Sequence, residues 1–252
     1  MRSRKPLAYL PIYKALHEKQ IKFVVIGGQA CNIWSVFYLS SEPELKQYEP
    51  FTSKDLDVYS SSLDDVAVLA KAVQEKPVLN DGASPDPAFG YVIYKSSSKN
   101  PMPISFTSGA YGIKDASKIF ESRQTLGLGR SKTPVHIMHP FFTMQGKAAL
   151  VVYAPRKSAN DLRHLKMSVH YTRHFILDLA KMGQDRDALR VCKSVVSLAI
   201  SRLGREVYKK FQIRLEAALP SKSQVGLKAP KLANYLEQSL PERLVKIKSY
   251  RR

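Results

Sequence analysis

Asp55 and Asp57 stand at i and i+2 in the stretch Lys54-Asp55-Leu56-Asp57-Val58-Tyr59. On a β-strand those positions face the same side, so the two carboxylates would stand together while Leu56 and Val58 turn into a core. Two carboxylates on one face suit Mg²⁺, which is usually held by one or two carboxylates together with substrate phosphates. Upstream, Lys22-Phe23-Val24-Val25-Ile26-Gly27-Gly28-Gln29-Ala30 is a short apolar run that breaks at two glycines and restarts as a helix. A Gly-Gly turn at a helix start brings backbone N–H groups and the positive end of the helix dipole up to a phosphate. Asp-X-Asp alone is a common polar strand end, and Gly-Gly alone a common tight turn. In combination they predict a site for a nucleoside triphosphate and its metal, with Asp55 and Asp57 on Mg²⁺ and Gly27 and Gly28 at the phosphates.

The remaining polar side chains suggest a second kind of contact. Residues 151–252 carry 22 Lys/Arg against 8 Asp/Glu, out of 40 and 21 in the whole 252-residue chain. A basic C-terminal half points to a polyanionic partner. Within it, Tyr171, Arg173, Arg202, Arg205, Tyr208, Lys209 and Lys210 interleave cations and aromatic rings. That pattern suits phosphate and base contacts, and equally a solvated helix face. His170 and His174 have the i, i+4 spacing of a zinc pair. No metalloprotease-type Glu lies between them, so packing or an RNA-facing role is the expectation.

The elements that must position these groups follow from periodicity. An amphipathic helix is predicted over 8–19, a strand over 22–26, a helix over 29–38, a strand over 55–59 and a helix over 62–75. Trp34 and Phe37 are expected in the core. Residues 40–53 read as a polar connection and 80–88 as a loop. Strand-like runs follow at 89–95, 102–107 and 135–138, with a mobile basic segment bounded by the glycines at 109, 112, 127 and 129. From residue 140 the period is helical, with helices expected at 140–153, 158–182, 186–202, 205–218 and 229–239. Strands alternating with helices, then helices alone, predict a mixed α/β domain over 1–139 with a small mixed sheet, followed by a basic helical domain over 140–252. Cys31 and Cys192 lie in separate apolar stretches, which argues against a disulfide framework and fits a reducing compartment. No secretory leader or membrane-spanning run is visible, and the expectation is a cytoplasmic protein with no membrane partner.

The Gly-Gly turn, the helix behind it and Thr52-Ser53-Lys54-Asp55-Leu56-Asp57 together resemble the nucleotidyltransferase superfamily, and within it the AbiEii-type toxins and related minimal nucleotidyltransferases of toxin–antitoxin pairs. The resemblance covers residues 20–180 and implies a nucleotidyltransferase-like N-terminal domain. It extends to His139-Pro140-Phe141-Phe142-Thr143-Met144-Gln145-Gly146-Lys147-Ala148-Ala149-Leu150 and on to Arg156-Lys157 and Asp161-Leu162. It implies that Asp55 and Asp57 bridge Mg²⁺ to the phosphates and that Lys147 neutralises phosphate charge, with Arg156 assisting. It also implies that Asp161 orients Lys147 or takes part in proton removal. Read from the residues alone, Lys147 could be a solvated lysine, and Asp161 could simply favour a helix start. The sequence departs from the family where a third acid is common: Pro103-Ile104-Ser105-Phe106-Thr107 offers only hydroxyls beside the core positions, and Asp115 could substitute only if its loop folds back.

These features predict Mg²⁺-dependent transfer of a nucleotide from an NTP to an acceptor hydroxyl. The basic half points to an RNA end, such as that of tRNA, as the acceptor. The resemblance adds a toxin role with an antitoxin partner. Two rivals belong to other classes. One is a catalytically idle module of the same fold that binds nucleic acid or a partner. The other is transfer to a protein or small-molecule hydroxyl.

Overall fold

The computed structural model describes residues 3–80, 88–95, 101–155 and 158–250. The chain divides into two compact units, Met1–Val36 with Tyr48–Thr143, and Phe37–Gln47 with Met144–Arg252. The fold is mixed α/β, with a helical C-terminal part.

The first unit is built on a seven-stranded mixed sheet. Its strands are β1 (Val24–Ile26), β2 (Leu56–Tyr59), β3 (Pro77–Leu79), β4 (Ala88–Tyr94), β5 (Met102–Thr107), β6 (Gln124–Leu128) and β7 (Thr133–Ile137), in the order β3-β4-β5-β2-β1-β7-β6. β2, the carrier of Asp57, is the central strand. It pairs antiparallel with β1 (Ile26 opposite Asp57) and parallel with β5 (Asp57 opposite Ser105). All three residues of β1 are buried, as expected for a short apolar strand covered on both faces. Val24, Ile26 and Tyr59 share a face with Asp57 through this register. They pack with Ile119 and Met138, under side chains that include Ile113, Phe120 and Phe142. Leu56, Val58, Ile104 and Phe106, on the opposite face, are wholly buried.

Helices α1 (Leu10–Glu18), α2 (Gly27–Tyr38), α3 (Asp64–Ala72) and α4 (Ser117–Glu121) accompany the sheet. Trp34 is buried and its indole donates to the Met138 carbonyl at 2.9 Å, whereas Phe37, expected in the core, is half exposed. The segment expected to be mobile contains α4 and β6. Asp115 starts α4 by accepting from the Ser117 N–H at 3.1 Å and hydroxyl at 2.7 Å. β6 and β7 form a hairpin whose turn includes Gly129 at positive φ.

The second unit contains α6 (Ala159–Lys181), α7 (Asp185–Ile200), α8 (Arg202–Phe211), α9 (Pro230–Asn234) and α10 (Leu240–Ser249), with α5 (Pro140–Tyr153) preceding α6 in the chain. α7 packs against α6, α8, α9 and α10. The helix expected over 205–218 begins earlier and breaks. Ser201 caps the start of α8 by accepting from Gly204 N–H, and Gln212 ends it in a left-handed conformation. The chain then extends so that Ile213 and Leu215 are both buried. A π-helical stretch, Tyr235–Ser239, links α9 to α10. Cys31 and Cys192 are buried and are not joined in a disulfide. Among the described residues, no helix is long and apolar enough to cross a membrane.

Candidate active site

β1 ends at Ile26, and the chain turns at Gly27 straight into α2. Gly27 has φ +64, a left-handed conformation that L side chains rarely adopt. A Cβ at this position would overlap the Asp57 carboxylate, so the acid of the central strand packs directly against the bare start of α2. The first N–H groups of a helix have no partner within the helix and carry its positive end. At Gly27 and Gly28 they therefore lie at the strand end that carries Asp57.

Asp55 is held by a neighbour two residues back. Ser53 hydroxyl donates to its Oδ1 at 3.0 Å. Ser53 in turn makes a two-way backbone bridge to Arg4, with N···O distances of 2.8 and 3.1 Å. The Gln29 amide, in the first turn of α2, donates to the same Arg4 carbonyl at 3.1 Å. The N-terminal segment is thus stitched to both halves of the motif. Tyr9 is buried beside them, and burial, with the charges of Asp55 and Asp57 adding to it, pushes its hydroxyl up to about 12. Asp55 and Asp57 are both half-buried oxygen donors. Hard oxygen ligands of this kind fit Mg²⁺.

β5, the strand on which the resemblance would put a third acid, lies beside β2 in the register. Ser105 sits directly beside Asp57, and the Thr107 hydroxyl turns to the Gly109 carbonyl at 3.0 Å. Asp115, the alternative acid, is occupied at the start of α4, where it also lies 3.8 Å from Lys118.

In the second unit the structure joins Lys147 of α5 to Asp161 of α6 as a 2.7 Å ion pair. Lys147 is buried, and Asp161 is the third residue of α6, where it also bonds the capping Ser158 hydroxyl at 2.7 Å. Burial alone would raise the Asp161 carboxyl. The Lys147 ammonium and the Ser158 hydroxyl outweigh it and hold the acid below its usual range. His164, one turn further along α6, is buried against this pair. Its burial, followed by the Lys147 charge, drives it down to about 3, so it is neutral at physiological pH. Arg156 lies outside the described residues.

Arg173, one of the expected nucleic-acid contacts, faces inward. Its guanidinium lies 2.5 Å from the Glu42 carboxylate, which is buried and also 2.9 Å from His174 Nε2. His170 Nδ1 is 3.1 Å from Glu44. Glu42, Glu44 and His170 bring ligand atoms within 4.8 Å of one another and so could hold a metal ion. The Arg173 guanidinium already pairs with both acids there, however. Tyr171 is wholly buried. The other expected contacts, Arg202, Arg205, Lys209 and Lys210, are all exposed on α8, with Lys210 2.9 Å from Glu206.

Sequence reasoning missed Arg4, Ser53, Tyr9 and Gln29 around the motif, and Glu42 opposite α6. Gln29 adjoins the Gly-Gly pair and could have been suspected. Arg173 lies one and three residues from His174 and His170, and such a cluster on one helix calls for an acidic partner, but nothing local says which acid.

No family model and no curated protein matches this chain. Among solved structures it is similar to the Megavirus polyadenylate synthase, at 12% identity and a TM-score of 0.42, over 93% of this chain and 50% of that one. This chain thus spans half the length of that structure. The likeness carries no argument about the site, which rests on its own geometry.

Proposed function

We propose that the protein is a Mg²⁺-dependent nucleotidyltransferase that moves a nucleotide from an NTP to an acceptor hydroxyl, with an RNA end such as that of tRNA as the acceptor. The observation that carries this reading is the packing of Gly27, at positive φ and at the very start of α2, on the carboxylate of Asp57 in the central strand. In this reading Gly27 would belong to a phosphate cradle and Asp57 would be a metal-binding acid beside it.

In this reading the acceptor oxygen forms a bond to the α-phosphorus, the bond from that phosphorus to the oxygen bridging the β-phosphate breaks, pyrophosphate leaves, and the acceptor's proton passes to solvent water. Such a displacement needs alignment and charge stabilisation more than an unusual nucleophile. Asp55 and Asp57 would hold Mg²⁺, which when bound supplies charge neutralisation at the phosphates. Gly27 and Gly28 bind the triphosphate through their N–H groups. Ser53, braced by Arg4, whose carbonyl also accepts from Gln29, keeps Asp55 aimed. The motif resemblance supports a phosphate-neutralising role for Lys147. Asp161, held as a carboxylate on Lys147, suits orientation of that lysine better than proton removal. Resemblance of the two motifs to the AbiEii-type toxins supports a toxin role with an antitoxin partner as part of the same proposal.

The test is incubation of the purified protein with Mg²⁺, each α-labelled NTP, and tRNA or total RNA, beside an Asp55→Ala/Asp57→Ala control. Label on RNA with the unaltered protein alone is the expected result and names the nucleotide. Label on protein instead would redirect the reading to a protein acceptor, and no label on any acceptor would refute transfer. Ser105 beside Asp57, in place of an acid, favours one alternative, an idle module that binds without transferring. That alternative predicts no label in any arm with RNA binding intact.

A further inference from the structure

The second unit contains a cavity of ≈ 390 Å³ between α8 and the end of α10. Its floor includes Gly204 and Ile247, and its walls carry Arg205, Tyr208, Lys209 and Tyr250. Gly204 is what lets α8 lie so close to α7. A Cβ there would come within 2.3 Å of the Leu198 carbonyl oxygen and 2.7 Å of that of Ala199. Arg205, Tyr208 and Lys209 fall at i, i+3 and i+4, so they line one face of α8 within a single turn. Arg205 and Lys209 are exposed, and the Arg205 guanidinium lies 4.8 Å over the Tyr250 ring. Glu206, the acid in the wall among the described residues, is offset by Lys210 at 2.9 Å.

We propose that this cavity binds one nucleotide of a single-stranded RNA. A base stacks against Tyr250 or Tyr208, and the flanking phosphates lie on Arg205 and Lys209. A volume of this size is at the small end of the range for ligand pockets, about 300–1,000 Å³. Cations beside exposed π-faces are the chemistry by which single strands are held without sequence readout. The surrounding charge agrees, since residues 151–252 hold 22 Lys/Arg and only 8 Asp/Glu. The choice of RNA rests on the acceptor proposed above, but the site does not depend on catalysis.

The experiment is an anisotropy titration of a labelled single-stranded oligouridylate, without NTP or Mg²⁺. The full chain is compared with Arg205→Glu/Lys209→Glu, Tyr250→Ala, Tyr250→Phe and a charge-matched control outside the cavity, Lys181→Glu/Lys228→Glu. The pocket charge pair is expected to weaken binding at least tenfold more than the control pair. It should also lower the log–log salt slope by about 1.4, as for two lost phosphate contacts to a single strand. Tyr250→Ala is expected to cost about tenfold, the scale of one lost base stack, and Tyr250→Phe to bind like the unaltered chain.

Equal losses from the pocket and control pairs would overturn the site in favour of net charge alone. So would equal displacement of the RNA by polyglutamate, Tyr250→Ala binding as the unaltered chain does, or no binding by the unaltered chain. The Asp55→Ala/Asp57→Ala chain should bind the same RNA unchanged. Absence of transfer with pocket-dependent binding would therefore refute the catalytic reading and keep this one. Transfer with pocket-independent binding would do the reverse.

Discussion

At Gly27 a positive φ and a missing side chain matter at once. Gly27→Ala meets the left-handed strain of an L residue, typically 1–2 kcal/mol, and pushes on the Asp57 carboxylate. A loss of about 2 kcal/mol in urea unfolding is expected, with nucleotide transfer falling further than stability explains. A normally active Gly27→Ala protein would remove the basis of the proposed site. Lys147 and Asp161 present the opposite problem, a buried pair whose members need each other. Asp161→Leu leaves an uncompensated ammonium and should cost about 3 kcal/mol, whereas Lys147→Met/Asp161→Leu should recover most of that loss. A double variant no better than the single one would show that the pair is not coupled. Neither stability result bears on catalysis, which the labelled-NTP assay reads separately.

Among the elements, the short strand carrying Asp57 and the Gly-Gly start of α2 were legible because each is a local pattern, an alternation of acid and apolar residues and a break that glycine favours. The α8 boundary was not legible. Its sequence continues to look helical past Phe211, and what stops it is the demand of Ile213 and Leu215 for burial, met by a left-handed Gln212. That conformation costs an L residue but not glycine. Gln212→Gly is therefore expected to raise stability by about 0.5–1 kcal/mol, measured by thermal unfolding. A loss instead would mean that the Gln212 side chain is needed where it lies, at the edge of the α8 cavity. Glu42 shows the same dependence on long-range packing. It was read as part of a polar connection, yet it is the buried acid that Arg173 and His174 meet.

For the whole molecule, acid should be the destabilising direction. Burial holds His139 at about 4 and His164 at about 3, both below their ordinary value of 6.5. His139 Nδ1 also accepts the Phe141 N–H at 3.1 Å, which requires the neutral ring. The unfolded chain takes up these protons near pH 6.5 and the folded chain only well below it. The stabilisation is therefore complete above about pH 6.5 and is lost as pH falls toward 3–4. The slope is at most about 1.4 kcal/mol per pH unit for each histidine. His164→Leu should remove its share, flattening the fall between pH 6.5 and 5 while changing stability at pH 7.5 by about 1 kcal/mol or less. Unfolding midpoints across that range check it, and an unchanged slope would show that His164 is not the group responsible. Below the carboxylate range the depressed Asp161 and Glu42 add a second loss of the same sign.

By itself the sequence determined the alternation of strands and helices followed by helices alone, the glycine break, the paired acids and the basic C-terminal half. Each is a property of neighbours along the chain or of composition, where side-chain period and backbone freedom act directly. Only the tertiary structure decided that Asp57 lies between Ile26 and Ser105 and that Arg4 and Ser53 brace Asp55. It alone decided that Asp161 reaches Lys147, that Arg173 turns inward to Glu42, and that Arg205 and Lys209 meet Tyr250 around a cavity. Those contacts join residues 14 to 131 positions apart in the cases of Lys147–Asp161 and Glu42–Arg173. Strand register and the competition of many side chains for one core select such pairings, and no local stretch contains that information.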